Sequence, residues 1–188
     1  MKISIILGLI FIFSCSKKPE DTFDPLCCIL PIDVFISVVD EPGDDLLYPA
    51  NPKGIKIDGI KVLAAIDGKE EDLKFYGVYE KEFLSRSNQK YSKYILETTL
   101  NRWNNKIKNF PTRENGDTLR LETLTILSWN QKNRDTLRAE IERTYKSVKV
   151  KKIWIKGQLI WQQNNDYLGG QPYITMTKKS LQADRTTH

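Results

Sequence analysis

Thr118-Leu119-Arg120-Leu121-Glu122-Thr123-Leu124-Thr125-Ile126-Leu127-Ser128-Trp129 is the stretch that decides the architecture. Leu119, Leu121, Leu124, Ile126 and Trp129 stand against Arg120, Glu122, Thr123 and Thr125. That is close to a period of two, the spacing of a strand with one face on a core and one in water. The polar run Asn130–Asp135 follows and reads as a turn.

The same pattern continues on either side. Thr136–Tyr145 sets Leu137, Ala139, Ile141 and Arg143 on one face and Arg138, Glu140 and Glu142 on the other. A helix is the rival there, because the segment is rich in helix formers and Leu137, Ile141 and Tyr145 also have helical spacing. The neighbouring strands favour a strand. Val148–Ile155 alternates Val148, Val150, Lys152 and Trp154 against Lys149, Lys151, Ile153 and Ile155; Lys156-Gly157 then turns the chain into Gln158–Gln163. Tyr173–Thr177 is expected as one more edge strand. Upstream, Val34–Val39 is β-branched and aromatic and ends in Asp40-Glu41-Pro42-Gly43-Asp44-Asp45. Ile60–Ile66 is closed by Asp67-Gly68, a hairpin signal, with Leu73–Val78, the less regular Tyr79–Phe83 and then Tyr91–Leu100 after it. Many short strands with regular turn signals and no βαβ alternation predict an all-β, antiparallel β-sandwich, immunoglobulin-like or similar.

The N-terminus carries a different signal. Met1-Lys2 is followed by an apolar stretch Ile3–Phe13 broken only by Ser4 and Gly8, and then by Ser14-Cys15-Ser16-Lys17-Lys18. A positive start, a short apolar stretch and a small residue before the cut make a secretory signal peptide, and the apolar part is shorter than the roughly 20 residues a spanning helix needs. Ile12-Phe13-Ser14-Cys15 resembles the lipobox of bacterial lipoproteins. The resemblance implies cleavage before Cys15, acylation of its thiol and of the new N-terminus, and attachment to the outer membrane, on the periplasmic side or at the cell surface. It implies no other cofactor than this covalent lipid.

The domain organisation expected is therefore residues 1–14 as signal peptide, 15–31 as a lipidated tether, 32–178 as the sandwich and 179–188 as a disordered tail. The tether is polar, with prolines at 19, 25 and 31, and is suited to a solvated spacer. Cleavage leaves 174 of the 188 residues and lowers the net charge from +5 to +4, with charges of both signs interspersed. An exported protein with so mild an excess is expected to have a solvated surface and no nucleic-acid partner. Cys27 and Cys28 are too few for a disulfide framework and lack a CxxC spacing for zinc.

Chemistry is sparsely signalled. The single histidine, His188, lies in the tail, so Ser/His/Asp and Cys/His arrangements are unavailable. The chain shows no GxGxxG and no P-loop. A carboxylate pair for glycoside hydrolysis stays open, because such pairing is spatial; no Asp or Glu stands in a sequence context apolar enough to raise its pKa. The acidic loop Asp40, Glu41, Asp44 and Asp45 puts four carboxylates within six residues; it reads as a solvated turn between strands, with no metal expected and calcium as the alternative, since the alternating ligands and final Glu of an EF-hand are missing. Trp129, Trp154 and Trp161 lie in or at the ends of strands, where core packing is expected. Trp103 in a polar stretch, and Tyr167 and Tyr173 flanking the Gly-rich segment 167–173, are the candidate ligand contacts.

Val38-Val39-Asp40-Glu41-Pro42-Gly43-Asp44-Asp45-Leu46-Leu47-Tyr48-Pro49 and the hairpin Lys151–Trp161 are similar to segments of small Bacteroidetes lipoproteins of uncharacterised role, with Tyr48 and Lys156 in place of the usual Asn. The resemblance implies a β-sandwich on the outer membrane and carries no catalytic residue. The expectation that follows is a non-enzymatic, lipid-anchored envelope protein, bound to the membrane by its acyl chains, that binds or scaffolds a component of the envelope, with an envelope protein or a glycan as its partner. A glycan-binding lipoprotein using exposed aromatics is the alternative, and a carboxylate-based hydrolase stands behind both.

Overall fold

The computed structural model describes residues 32–74, 76–85, 87–100, 116–145, 147–163 and 171–179. Cys15, Cys27, Cys28, Trp103 and Tyr167, with residues 1–31 and all of the tail but Lys179, lie outside the described residues.

Ten strands are described: β1 (Asp33–Val39), β2 (Lys61–Ile66), β3 (Lys69–Asp72), β4 (Tyr76–Leu84), β5 (Lys90–Thr99), β6 (Leu119–Ser128), β7 (Arg134–Arg143), β8 (Val148–Ile155), β9 (Gln158–Gln162) and β10 (Tyr173–Thr177). They form a four-stranded sheet ordered β10-β1-β5-β4 and a six-stranded sheet ordered β3-β2-β6-β7-β8-β9. The all-β sandwich is thus as the alternation predicts. All the pairings are antiparallel except one: β10 runs parallel to β1, from Phe35↔Tyr173 to Val39↔Thr177.

The facing sides meet in one core. Val34, Ile36 and Val38 of β1, Leu96 of β5 and Ile174 and Met176 of β10 pack against Leu127, Leu137, Ala139, Ile141, Val150 and Ile153 of the larger sheet. Leu46 and Leu47, from the connection after β1, are fully buried in it as well. Full burial of a Leu, Ile or Val side chain stabilises by roughly 1.5–3 kcal/mol relative to exposure, so this layer dominates the stability.

Strand parity corrects several local expectations. In β6 the strict period of two turns Thr123 and Thr125 inward and leaves Leu124 half-exposed, the reverse of what hydrophobicity alone suggests. β7 is the strand expected there, and it buries Asp135, which the sequence pattern leaves in the turn, with Leu137, Ala139, Ile141 and Arg143 on one face. In β8 the register slips: Glu140 pairs with Lys152 but Ile141 with Val150, so Lys151 is an extra residue. That bulge lets Val150 and Ile153, three apart, both reach the core. It also turns Trp154 outward, opposite Arg138, whose guanidinium lies 4.3 Å from the indole ring. Of the three strand tryptophans, Trp129 is core, Trp161 packs partly against the core and Trp154 does not belong to it.

The Asp67-Gly68 hairpin forms, with φ of 50° and 75°, but its returning arm is the charged Lys69–Asp72 and not Leu73–Val78. Four exposed charged residues on an edge strand keep other chains from pairing there. Leu73 closes the ladder onto Val62, and the chain then crosses to the smaller sheet as β4, where the Tyr76 hydroxyl donates to the Ile60 carbonyl at 3.1 Å.

Candidate functional site

The turn between β6 and β7 is built by its own polar residues. Asn130 Oδ1 accepts the backbone N–H groups of Lys132 and Asn133 at 2.9 and 2.8 Å, and Trp129 N–H donates to the Asn133 carbonyl at 2.9 Å. Beneath it the Trp129 indole N–H donates to Asp135 Oδ2 at 2.7 Å. Lys178, just beyond β10, donates to the same oxygen, and its ammonium lies 5.2 Å from the Trp129 ring. Lys156, in the β8–β9 turn, places Nζ 3.5 Å from Asp135 Oδ1. Burial by itself would raise the Asp135 pKa. The hydrogen bonds from Lys178 and Trp129, and then the charges of Lys178 and Lys156, outweigh it and hold the carboxyl below its ordinary value. One carboxylate thus ties the smaller sheet to the larger.

Two clefts flank this turn. The smaller, about 490 Å³, runs between the start of β9 and the end of β10, and Asp135, Lys156, Lys178 and Lys179 line it. The larger, about 900 Å³, lies between the turn and the loop 48–59, with Tyr48, Asn51, Asn130, Gln131 and Asn133 on its walls. That loop is held from within. Asn51 Nδ2 donates to the Asp45 carbonyl at 2.7 Å, and Ile55 N–H donates to the Leu46 carbonyl at 2.7 Å. Tyr48, 49 % exposed, rests against Tyr94 with ring centroids 5.5 Å apart.

The acidic loop is an ordered turn. Asp40 Oδ1 accepts N–H groups from Gly43 and Asp44 at 3.0 and 2.7 Å, with Gly43 at φ 99°. Asp45 accepts from Leu47 N–H at 2.8 Å and from Tyr94 N–H at 3.0 Å. Two of the four candidate calcium ligands are therefore engaged with backbone donors, while Glu41 and Asp44 face solvent. Among the described residues no three His, Cys, Asp or Glu side chains converge as a metal site would require.

A second cluster lies on the outer side of the smaller sheet. Phe35 pairs across to Glu97, and the Tyr79 hydroxyl of the neighbouring strand donates to Glu97 Oε2. Burial, the hydrogen bond to Glu97 and the charges of Glu97 and Asp33 push the Tyr79 phenol up to about 12. Burial and then Glu97 raise the Asp33 carboxyl, with Lys81 opposing them. The Lys81 ammonium sits 3.3 Å from the Phe35 ring centroid. An acid in a pKa-raising setting, which the sequence context does not suggest, is therefore present, but neither Asp33 nor Glu97 lines a cleft described above. Tyr173 stands nearby, half-buried, with its ring 5.1 Å from Phe83; it lines neither cleft.

Sequence reasoning missed Asp135 and Lys178. The signal for Asp135 was its phase: it is two residues before Leu137 on the inward face of β7, so a turn assignment hid a buried acid. Nothing in the sequence marks Lys178 as its partner. Compared with protein-family models, curated proteins and solved structures, the chain matches none.

Proposed function

We propose that the protein is a lipid-anchored binding protein of the bacterial cell envelope, without enzymatic activity, held at the outer membrane by acyl chains on Cys15. The observation that carries this reading is directional. The sandwich is entered at Asp33, at the start of β1, whereas the acidic turn, the loop 48–59 and Lys178 gather beyond Val39, where β1 ends. Seven strand residues, roughly 23 Å, separate these ends. A chain tethered through residues 15–31 would present both clefts away from the membrane. One acyl chain anchors only marginally, whereas the several chains that the lipobox implies would hold the protein firmly.

The test is metabolic labelling of expressing cells with radioactive palmitate, with Cys15→Ala as control. Label on the wild type and none on the variant is expected; label on the variant overturns the anchor. Protease shaving of intact cells then distinguishes surface display from the periplasmic side.

A glycan is the ligand favoured by the larger cleft. An exposed tyrosine ring in the same cleft as the amide side chains of Gln131 and Asn133 offers stacking and neutral hydrogen bonding together, while Asn51 and the Asn130 oxygen hold the surrounding loops. An envelope protein is the other partner class, and a pulldown from membranes in mild detergent separates the two.

A further inference from the structure

The smaller cleft carries an excess of positive charge. Lys156, Lys178 and Lys179 line it, and Asp135 is the one acid among its lining residues. Three ammonium groups against one carboxylate leave a net charge of +2. Lys178 is bound to Asp135 and its side chain is 13 % exposed, so it is a fixed part of the wall. The Lys156 side chain is 78 % exposed and touches Asp135 only at 3.5 Å, so its ammonium is available to a ligand. Asn133 and Gln158 add neutral hydrogen-bonding groups beside the charges.

The backbone at Lys156 points the same way. Lys156 and Gly157 have φ of 50° and 80° and form the two-residue turn joining β8 to β9. Turns with positive φ at both places favour Asn-Gly, and a lysine at the first is strained relative to asparagine. The fold holds a disfavoured residue there, and that residue places an ammonium at the mouth of the cleft.

We propose that this cleft binds the oxyanion of an acidic saccharide, a carboxylate or a sulfate. Lys156 and Lys179 contact the charge, Lys178 is fixed by Asp135 behind them, and the amides of Asn133 and Gln158 take sugar hydroxyls. The inference rests on the reading above that the protein binds a glycan, and adds to the larger cleft a separate site for the acidic groups of such a ligand in the smaller one.

The experiment is calorimetric titration of the full-length protein in detergent at low salt with three probes: an oligogalacturonate, a heparin-derived hexasaccharide and neutral cellohexaose. Binding of at least one acidic probe, ten-fold or more tighter than cellohexaose, is expected, and which one binds distinguishes carboxylate from sulfate. Lys156→Asn combined with Lys179→Gln should weaken that binding at least ten-fold with no fall in Tm, since asparagine suits the turn. Lys132→Gln, in the larger cleft, should leave it unchanged. Acidic-probe binding that survives the double substitution overturns the proposal. Binding of cellohexaose alone overturns it while leaving the glycan reading intact, and binding of none of the three overturns both. The palmitate labelling of Cys15 reports on the anchor independently.

Discussion

The Trp129 indole N–H and the Asp135 carboxylate meet at 2.7 Å beneath the β6–β7 turn, and Lys178 closes on the same oxygen from the other sheet. Trp129 is 1 % exposed and Asp135 4 %, so this is an interior junction between the two layers. Removing the charge leaves the Lys178 ammonium buried without its counter-ion. Asp135→Asn is expected to lower stability by about 3 kcal/mol in urea denaturation at pH 7. The sign with pH follows from the depressed pKa: the contribution is present above the unfolded aspartate value of about 3.9 and is lost as pH falls through the lower folded value. The gap between wild type and variant should narrow as pH falls below about 3.9, and a gap that stays constant through the acid range would refute the assignment.

Asp33 has the opposite sign. Its folded pKa is raised, chiefly by burial and then by Glu97, so the folded state disfavours the charged form that prevails at pH 7. The stability tied to the neutral acid is complete below the unfolded value and lost as pH rises through the folded one. Asp33→Asn is expected to raise Tm by about 2 °C at pH 7 and to have no effect near pH 3, read by calorimetry. A fall in Tm at pH 7 would contradict this account.

Tyr79 gives a direct spectroscopic check. Its phenol is pushed up to about 12, against about 10 for an ordinary tyrosine. Ultraviolet titration of the wild type should contain one tyrosinate transition near pH 12 that is missing from Tyr79→Phe. Glu97→Gln should move that transition downward. Because the folded pKa is raised, the associated stability is present below about pH 10 and lost as pH climbs towards 12.

Gly54 tests the wall of the larger cleft. A Cβ there would lie 2.8 Å from the Asn51 carbonyl oxygen and 3.1 Å from that of Leu46, both backbone atoms. The Leu46 carbonyl also accepts the Ile55 N–H, so the clash falls on the bonds that shape the loop. Gly54→Ala is expected to cost about 1–3 kcal/mol in denaturant unfolding. Gly77→Ala, which meets nothing within 4 Å, is the control for simple loss of a glycine.

The strands were legible because alternation is a local property. β1, β5, β7, β8 and β9 lie within two residues of where the pattern puts them, and Lys156-Gly157 and Asp67-Gly68 mark the turns they occupy. Where the pattern misled, the cause was also physical. In β6, Leu124 and Ile126 attract by hydrophobicity, but Leu119, Leu121, Leu127 and Trp129 set the phase and the pleat admits no exception. In β8 a bulge changes the phase partway, and a single extra residue leaves no mark on composition.

The site was legible in lesser degree. The acidic loop was visible as a cluster, yet only the folded chain shows that Asp40 and Asp45 accept backbone N–H groups. Trp103 and Tyr167 lie outside the described residues, and Tyr173 packs on Phe83 away from both clefts. By itself the sequence determined the all-β class, most strand positions and the turn chemistry, since these depend on neighbours two to four residues apart. It also supplies the expectation of an anchor at Cys15. Tertiary structure alone decided that β10 returns parallel to β1 and brings Lys178 to Asp135, 43 positions away in the chain. Pairings of that span are chosen by the burial of whole faces, and no local pattern encodes which two charges will meet when the layers close.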